Sequence, residues 1–303
     1  MKIILEQLFT LYLFLLLGWF FGKQKPKNAE QTGILSYLLV NLFLPCKVFL
    51  SFATNFTPKY LETNWKLPLI SLALLLLLIL ISLPLSKLLT KHPYEKRVYQ
   101  YSIPICNYAY MGYVLLESLG SEGMGSELLT GQILFCIPTT IYTYSIGFAL
   151  LTGNGFSWKK MVNPMTCSIL LGAVVGLVGI KLPPPVNGIL SSASGCVGPL
   201  SMLLVGISLS AFSLKKLLTR KSLYVFSLFR LVLLPLMAFV LCKVLGLEEV
   251  LLFAVIITCM PCGLNTIVFP KLVGEDCSLG AGLVLVTHAL SVITLPVWLM
   301  LIT

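Results

Sequence analysis

Two short stretches, each set inside an apolar run, carry the residue types that bind solutes rather than merely pack. In "SIPICNYAYMG" (102–112) and "CMPCGLN" (259–265) a proline stands a few positions ahead of an asparagine, Pro104 with Asn107 and Pro261 with Asn265. Proline removes a backbone donor and glycine is a poor helix former, so both stretches predict helices that stop in mid-course with orphaned carbonyls and amides. The asparagines add donors and acceptors without the larger cost of a buried charge. The candidate substrate-binding residues here are Cys106, Asn107, Tyr108 and Gly112 at the first break, and Pro261, Cys262, Gly263 and Asn265 at the second. Pro104, Gly112, Pro261 and Gly263 are the helix-breaking positions. Either break alone reads equally well as an ordinary proline kink, which transmembrane helices tolerate. It is their duplication, with an Asn in each, that argues for a shared polar site.

Other polar side chains lie in apolar surroundings. Arg230, in "LYVFSLFRLVLLPLMAF", is expensive in lipid and needs a role or a partner. It either draws an anion into the pathway or is held by carbonyls freed by Pro235. Lys47, just after Pro45, either snorkels or faces the same cavity. Asn41, one turn before Pro45, either bonds a carbonyl released by the proline or faces substrate. Thr287, His288 and Ser291 form a polar patch that suits ion coupling, with Thr287 and Ser291 on one helix face; His288 is either a proton relay or a hydrogen-bonded packing residue. No Asp lies well within an apolar run, and Glu6 and Glu117 fall near the ends of theirs, so sodium or proton coupling through an intramembrane carboxylate has no obvious residue. Carbonyl and Asn ligands remain open as a sodium site, and with Arg230 and Lys47 as the charges in lipid the balance favours an anionic substrate.

The nine cysteines sit almost entirely in apolar runs and read as small core residues. Cys259 and Cys262 form a CxxC, but no second pair or ligating His accompanies it, so neither redox chemistry nor a metal site is expected. A membrane enzyme is disfavoured, because the two histidines, His92 and His288, belong to no HExxH or comparable motif. No catalytic residue and no cofactor is called for.

The elements that must hold these residues are dictated by composition. Of 303 residues 57% are hydrophobic and 11% charged, and the mean hydropathy is +0.96. This is the profile of an all-α integral membrane protein. Ten spans are expected, at 3–22, 31–54, 66–89, 97–119, 126–150, 164–181, 186–211, 222–245, 248–271 and 277–302. The first is too long for a signal peptide, and no small-residue cleavage site precedes "KQKPK". Lys23, Lys25, Lys27, Lys87, Lys91, Lys96, Arg97, Lys159, Lys160, Lys215, Lys216, Arg220, Lys221 and Lys271 fall in alternate loops, against Lys2, Lys59, Lys66, Lys181 and Lys243 on the other side. By the positive-inside rule the first set is cytoplasmic and both termini lie outside. The net charge of +10 is thus an orientation signal rather than a nucleic-acid patch.

Ten spans divide five and five, residues 1–151 and 164–303, around a cytoplasmic linker at 152–163. An odd number per half means that related halves are inverted in the membrane, the architecture of many secondary transporters. Pro104 and Pro261 are 157 positions apart, close to half the chain. Flanking charges place both breaks near the bilayer centre: Arg97 and Glu117 bracket the fourth span, Glu249 and Lys271 the ninth. If these spans cross where they break, C-terminal ends offer carbonyls for a cation or hydroxyl and N-terminal ends offer amides for an anion.

At these residues the chain resembles the auxin efflux carrier family, in "NLFLP" (41–45), "NYAYMG" (107–112), "NP" followed by "GAVVGLVGIKLPPPV" (163–186), "GPLSMLLVGISL" (198–209), "MPCGLN" (260–265) and "VGEDCSLGAGLVLVTHALSVITLP" (273–296). The resemblance covers essentially the whole chain. It implies ten transmembrane helices as two inverted five-helix repeats, a sodium/bile-acid-symporter-like fold with broken crossover helices four and nine. Scaffold and transport domains would each draw on both repeats, and an elevator-like alternation would carry an organic anion bound at the crossover. The family's crossover Asn falls on Asn107, and that of the second motif on Asn265. The family is often dimeric through its scaffold domain. One departure concerns the first break, where the family often has Gly-Ile-Pro and this chain reads Gly112-Tyr113-Val114, so that break relies on Pro104 and Gly112.

The expected function is therefore a secondary transporter of small organic anions, carboxylates of the auxin-like or dicarboxylate class, in the cell membrane and dependent on the lipid bilayer. The alternative is a ligand-binding sensor or a channel of the same fold.

Overall fold

The computed structural model describes residues 2–24, 29–119, 124–153 and 162–302. Lys25, Lys27, Lys159, Lys160 and most of the expected linker at 152–163 lie outside the described residues. Among those described the secondary structure is helical, without strands. Among the described residues six helices are long and apolar enough to cross a bilayer: Leu5–Gln24, Gly33–Asn55, Pro58–Leu89, Pro184–Ser210, Lys221–Val244 and Ser278–Ile302. Gly125–Phe135 and Ile137–Thr152 would together make a seventh, bent by 50°. That bend falls within the expected fifth span. Its cause is Pro138, at the start of the helix Ile137–Tyr142, which leaves the preceding turn without a donor. The other three expected spans coincide with the shorter helix Pro164–Val178 and with the two interrupted stretches, where Pro93–Ser102 is followed by Tyr113–Leu119 and Glu248–Cys259 by Asn265–Leu272.

Among the described residues four π-helical turns interrupt the helices: Leu39–Phe43, Tyr108–Gly112, Thr143–Gly147 and Phe229–Leu233. The first and last each run directly into a Leu-Pro pair, Leu44-Pro45 and Leu234-Pro235. There the missing proline donor releases a carbonyl one turn back, and the widened turn absorbs the mismatch.

The chain divides into two compact units. One comprises Met1–Leu67, Ala109–Leu134 and Trp158–Ala211. Here the helix Lys2–Gln24 packs on Val197–Ser210, and Pro164–Val178 packs on Leu44–Asn55. Lipid tails are as apolar as any side chain, so such helices associate through close approach rather than hydrophobic exclusion. Gly172 and Gly176, four apart, supply it: a Cβ would sit 2.8 Å from the Phe49 carbonyl oxygen at the first and 2.5 Å from that of Phe52 at the second. Polar bonds add to the packing in this unit. Ser51 and Thr130 share a hydroxyl–hydroxyl bond of 2.7 Å, and Asn55 Nδ2 donates to Ser126 Oγ at 3.1 Å.

The other unit comprises Pro68–Tyr108, Phe135–Ser157 and Phe212–Thr303. Its helix Ser278–Ile302 packs against Pro93–Ser102, Lys221–Leu228, Glu248–Cys259 and Asn265–Leu272. The core around it is aromatic and aliphatic, with Tyr99, Tyr101, Phe226, Val255 and Ile256 fully enclosed. Both helix breaks, up to Tyr108 in the first, belong to this unit.

Candidate functional site

The helix Pro93–Ser102 ends on Ile103 and Pro104; the Ile105 N–H still donates to the Tyr101 carbonyl at 3.2 Å, and the chain then runs out of helix until the π-turn begins at Tyr108. The second break is simpler. Glu248–Cys259 ends with Met260 extended, residues 261–263 cross, and helix resumes at Asn265 with no π-turn. The two breaks thus differ in shape.

The two strands of broken backbone touch. The Asn107 N–H donates to the Pro261 carbonyl at 2.8 Å, and a Cβ on Gly263 would lie 3.0 Å from the Cys106 carbonyl oxygen. A side chain at 263 would force the two strands to give by a few tenths of an ångström.

One helix holds both crossing strands, through two consecutive residues. The Cys262 N–H donates to Thr287 Oγ1 at 3.0 Å, and that hydroxyl donates to the Leu283 carbonyl at 2.6 Å. At the next position His288 Nδ1 lies 2.8 Å from the Val284 carbonyl, and Nε2 lies 3.2 Å from Asn107 Nδ2. A carbonyl only accepts, so Nδ1 carries the proton; in the neutral ring Nε2 is then the acceptor for the Asn107 amide. Ser291 Oγ donates to the His288 carbonyl at 2.9 Å. Asn107, Thr287, His288 and Ser291 are all buried.

Arg230 is completely buried at the same breaks. Its Nε donates to the Met260 carbonyl at 3.1 Å, one terminal nitrogen to Ile257 at 2.8 Å and the other to Ile103. These carbonyls belong to the C-terminal ends of the two broken helices, where the helix dipoles concentrate partial negative charge. A cation at this point neutralises both ends at once. The carbonyl released by Pro235, that of Leu231, is met instead by Trp298 Nε1 at 2.8 Å. Arg230 therefore does not serve its own helix's proline; it serves the breaks.

Asn265 lies at the start of the resumed helix, partly exposed. Its side chain lies beside the buried Tyr101 hydroxyl. Phe269, one turn on, meets Tyr101 edge-on at 6.3 Å and Phe148 at 5.0 Å between ring centroids. Tyr108 shares a 3.1 Å hydroxyl bond with Thr140, just past the Pro138 bend. Tyr101, Thr140 and Phe269 were not singled out from the sequence; for Thr140 the signal was Pro138, and for the aromatic residues there was none.

The structure thus brings together Cys106, Asn107, Tyr108, Arg230, Pro261, Cys262, Gly263, Thr287 and His288. It does not bring Asn41, Lys47 or Gly112 into that unit. Asn41 donates to the Tyr37 carbonyl at 2.8 Å, whereas the carbonyl released by Pro45 is Asn41's own. Lys47 neither snorkels nor stands alone: its ammonium pairs with Glu117 within its own unit. None of the nine cysteines is paired in a disulfide, and among the described residues no group of three or more His, Cys, Asp or Glu side chains is arranged to hold a metal.

A family model described as "membrane transport protein" matches the chain twice, at residues 3–155 and 148–299, so that two repeats cover nearly its whole length. No curated protein sequence matches it.

Proposed function

Because the chain belongs to the auxin efflux carrier family of membrane transport proteins, we propose that it is a secondary carrier of small organic anions, with carboxylates of the auxin-like or dicarboxylate class as substrates. The observation that carries this reading is the crossing itself, where Asn107 N–H meets Pro261 and Arg230 caps the carbonyl ends of both broken helices. With those negative ends neutralised, the field left at the crossing is that of the N-terminal end of Asn265–Leu272, which favours an anion. Backbone left unwound in lipid is costly unless it lines a protein or wet site, and two breaks in contact concentrate that cost where binding can use it.

Arg230 and Lys47 are not the anion's direct partners in this reading, since their donors are engaged by carbonyls and by Glu117. That role falls to Asn107, Asn265 and the amides beside them, with Tyr101 placed to add a hydroxyl. The carrier has ten spans in two inverted repeats of five, with spans four and nine as the crossing pair. It sits in the cell membrane with both termini outside, and works by elevator-type alternation, as a homodimer where its scaffold pairs.

The test is a thermal-shift screen of detergent-purified protein against acetate, oxalate, benzoate and indole-3-acetate, followed by counterflow in proteoliposomes with whichever anion binds. Stabilisation that is lost in Asn265→Ala, with saturable counterflow in the wild type, supports the carrier. Stabilisation by none of the four anions overturns the anion assignment, and binding without counterflow makes the protein a sensor.

A further inference from the structure

We propose that His288 couples proton uptake to anion uptake by turning over the Asn107 side-chain amide. The inference rests on the anion-carrier reading above and concerns the same site. With His288 neutral, Nδ1–H is committed to Val284, so Nε2 accepts and Asn107 must present its NH2 group to the ring. The Asn107 oxygen, which makes no hydrogen bond among the described residues, is then the end of the amide left for substrate. A carboxylate has only acceptor oxygens and is repelled by it.

Adding a proton to Nε2 reverses the arrangement. Both ring nitrogens now donate, and the only Asn107 atom that can face Nε2–H is the oxygen. The amide rotates by half a turn and its NH2 group faces substrate as two donors. One proton therefore converts the site from anion-repelling to anion-binding, and its loss restores the repelling state for release.

The surroundings make the two events interdependent. His288 is almost fully buried, where a bare imidazolium is costly unless a counter-charge arrives. Within this unit, among the described residues, the titratable groups near the breaks are the Cys106, Cys259 and Cys262 thiols, the Tyr99, Tyr101, Tyr108, Tyr142 and Tyr144 phenols and Arg230, none of which supplies an anion at neutral pH. The other charged residues on the elements packed against Ser278–Ile302 lie at helix ends: Glu95, Lys96 and Arg97 on one, Lys215 and Lys221 on two others, then Glu248, Glu249 and Lys271. The substrate carboxylate is thus the counter-charge. Coupling is reciprocal: the anion raises the affinity of His288 for a proton as much as the proton raises affinity for the anion. Arg230 adds a second argument, because it already fills the carbonyl ends that would otherwise be open to a sodium ion.

The experiment measures affinity for acetate, oxalate, benzoate and indole-3-acetate at about pH 6.5 and about pH 8, where all four are ionised, and counts protons taken up on binding in weakly buffered detergent solution. Wild-type affinity is expected to weaken by up to about tenfold per pH unit, with one proton taken up per anion. In His288→Gln, whose amide oxygen can still accept from Asn107, affinity should be weaker and independent of pH. Binding without proton uptake, or a pH slope that persists in His288→Gln, overturns this proposal and leaves the carrier standing. If none of the four anions binds at either pH, the anion reading falls and takes this one with it. Should His288→Gln fail to fold, the wild-type proton count still decides.

Discussion

The backbone N–H of Asn107 donates to the carbonyl of Pro261 across 2.8 Å, joining two helix breaks that lie half a chain apart in sequence. Each break leaves groups the other can satisfy. Where one strand of unwound backbone in lipid would be a liability, two in register form a structural unit. Three further carbonyls at the breaks, of Ile103, Ile257 and Met260, converge on Arg230.

Arg230 should consequently be worth more to stability than to substrate affinity. Arg230→Met would orphan carbonyls on two helix ends and is expected to cost about 3 kcal/mol or more. Arg230→Lys should not rescue it, because one ammonium cannot span three acceptors as a planar guanidinium does. Thermal unfolding in detergent, followed by tryptophan fluorescence, reads the loss. Unchanged unfolding with weakened anion binding would return Arg230 to the pathway.

Gly263→Ala would place a Cβ 3.0 Å from backbone rather than from a side-chain tip, so the crossing itself must shift. Counterflow should drop at least tenfold while unfolding moves by only about 1–2 kcal/mol. Gly188→Ala, where nothing lies within 4 Å of the added Cβ, is the control and should be neutral or slightly stabilising.

The Trp298 bond to Leu231 can be isolated by a double-mutant cycle. Trp298→Phe should cost about 1–2 kcal/mol by stranding the carbonyl that Pro235 leaves unpaired. In a Pro235→Ala background the helix regains its own donor, and the same substitution should cost clearly less. Equal costs in both backgrounds would mean that Trp298 acts by packing alone.

Glu95 accepts from Arg220 at 2.6 Å and from Thr90 at 2.6 Å. Partial burial pushes its carboxyl up, but the bonds from Arg220 and Thr90 outweigh this and hold it below the ordinary carboxylate range. A carboxyl depressed on folding stabilises the protein above its unfolded pKa, and that stability fades as pH falls through the folded value. The pair is part-exposed and screened, so the effect should stay below about 1 kcal/mol. Wild-type melting temperature should therefore fall more steeply than that of Glu95→Gln as pH drops below about 5. Parallel curves would deny the pair any role in acid stability.

Ser213→Cys tests orientation. Its loop carries Lys215, Lys216, Arg220 and Lys221, so an impermeant maleimide should label it only from the cytoplasmic face. Labelling from outside intact cells would invert the assignment.

Both helix breaks were legible in the residues because the rule behind them is local. Pro104, Pro261 and Gly263 interrupt helices wherever they stand, and flanking charges report depth. The 50° bend at Pro138 obeys the same rule, yet within a span of normal length it read as continuous helix. The ion pair of Lys47 with Glu117 left no trace, since 70 positions separate partners that only packing makes neighbours. Arg230 was visible as an anomaly, expected either to draw an anion or to be held by carbonyls freed by Pro235; its partners are Ile103, Ile257 and Met260.

Where most helices run, and where the two crossing helices break, follows from the sequence alone, because a chain in lipid must satisfy nearly every backbone group within its own segment and Pro104, Pro261 and Gly263 prevent it. Which donor reaches which orphaned carbonyl was decided only in three dimensions. Trp298 could answer Pro235, and Arg230 could answer two breaks, once helices distant in sequence had packed side by side. Thr287 and His288 show the same division: adjacent letters in the chain, they hold different strands of the crossing because successive residues on a helix point about 100° apart.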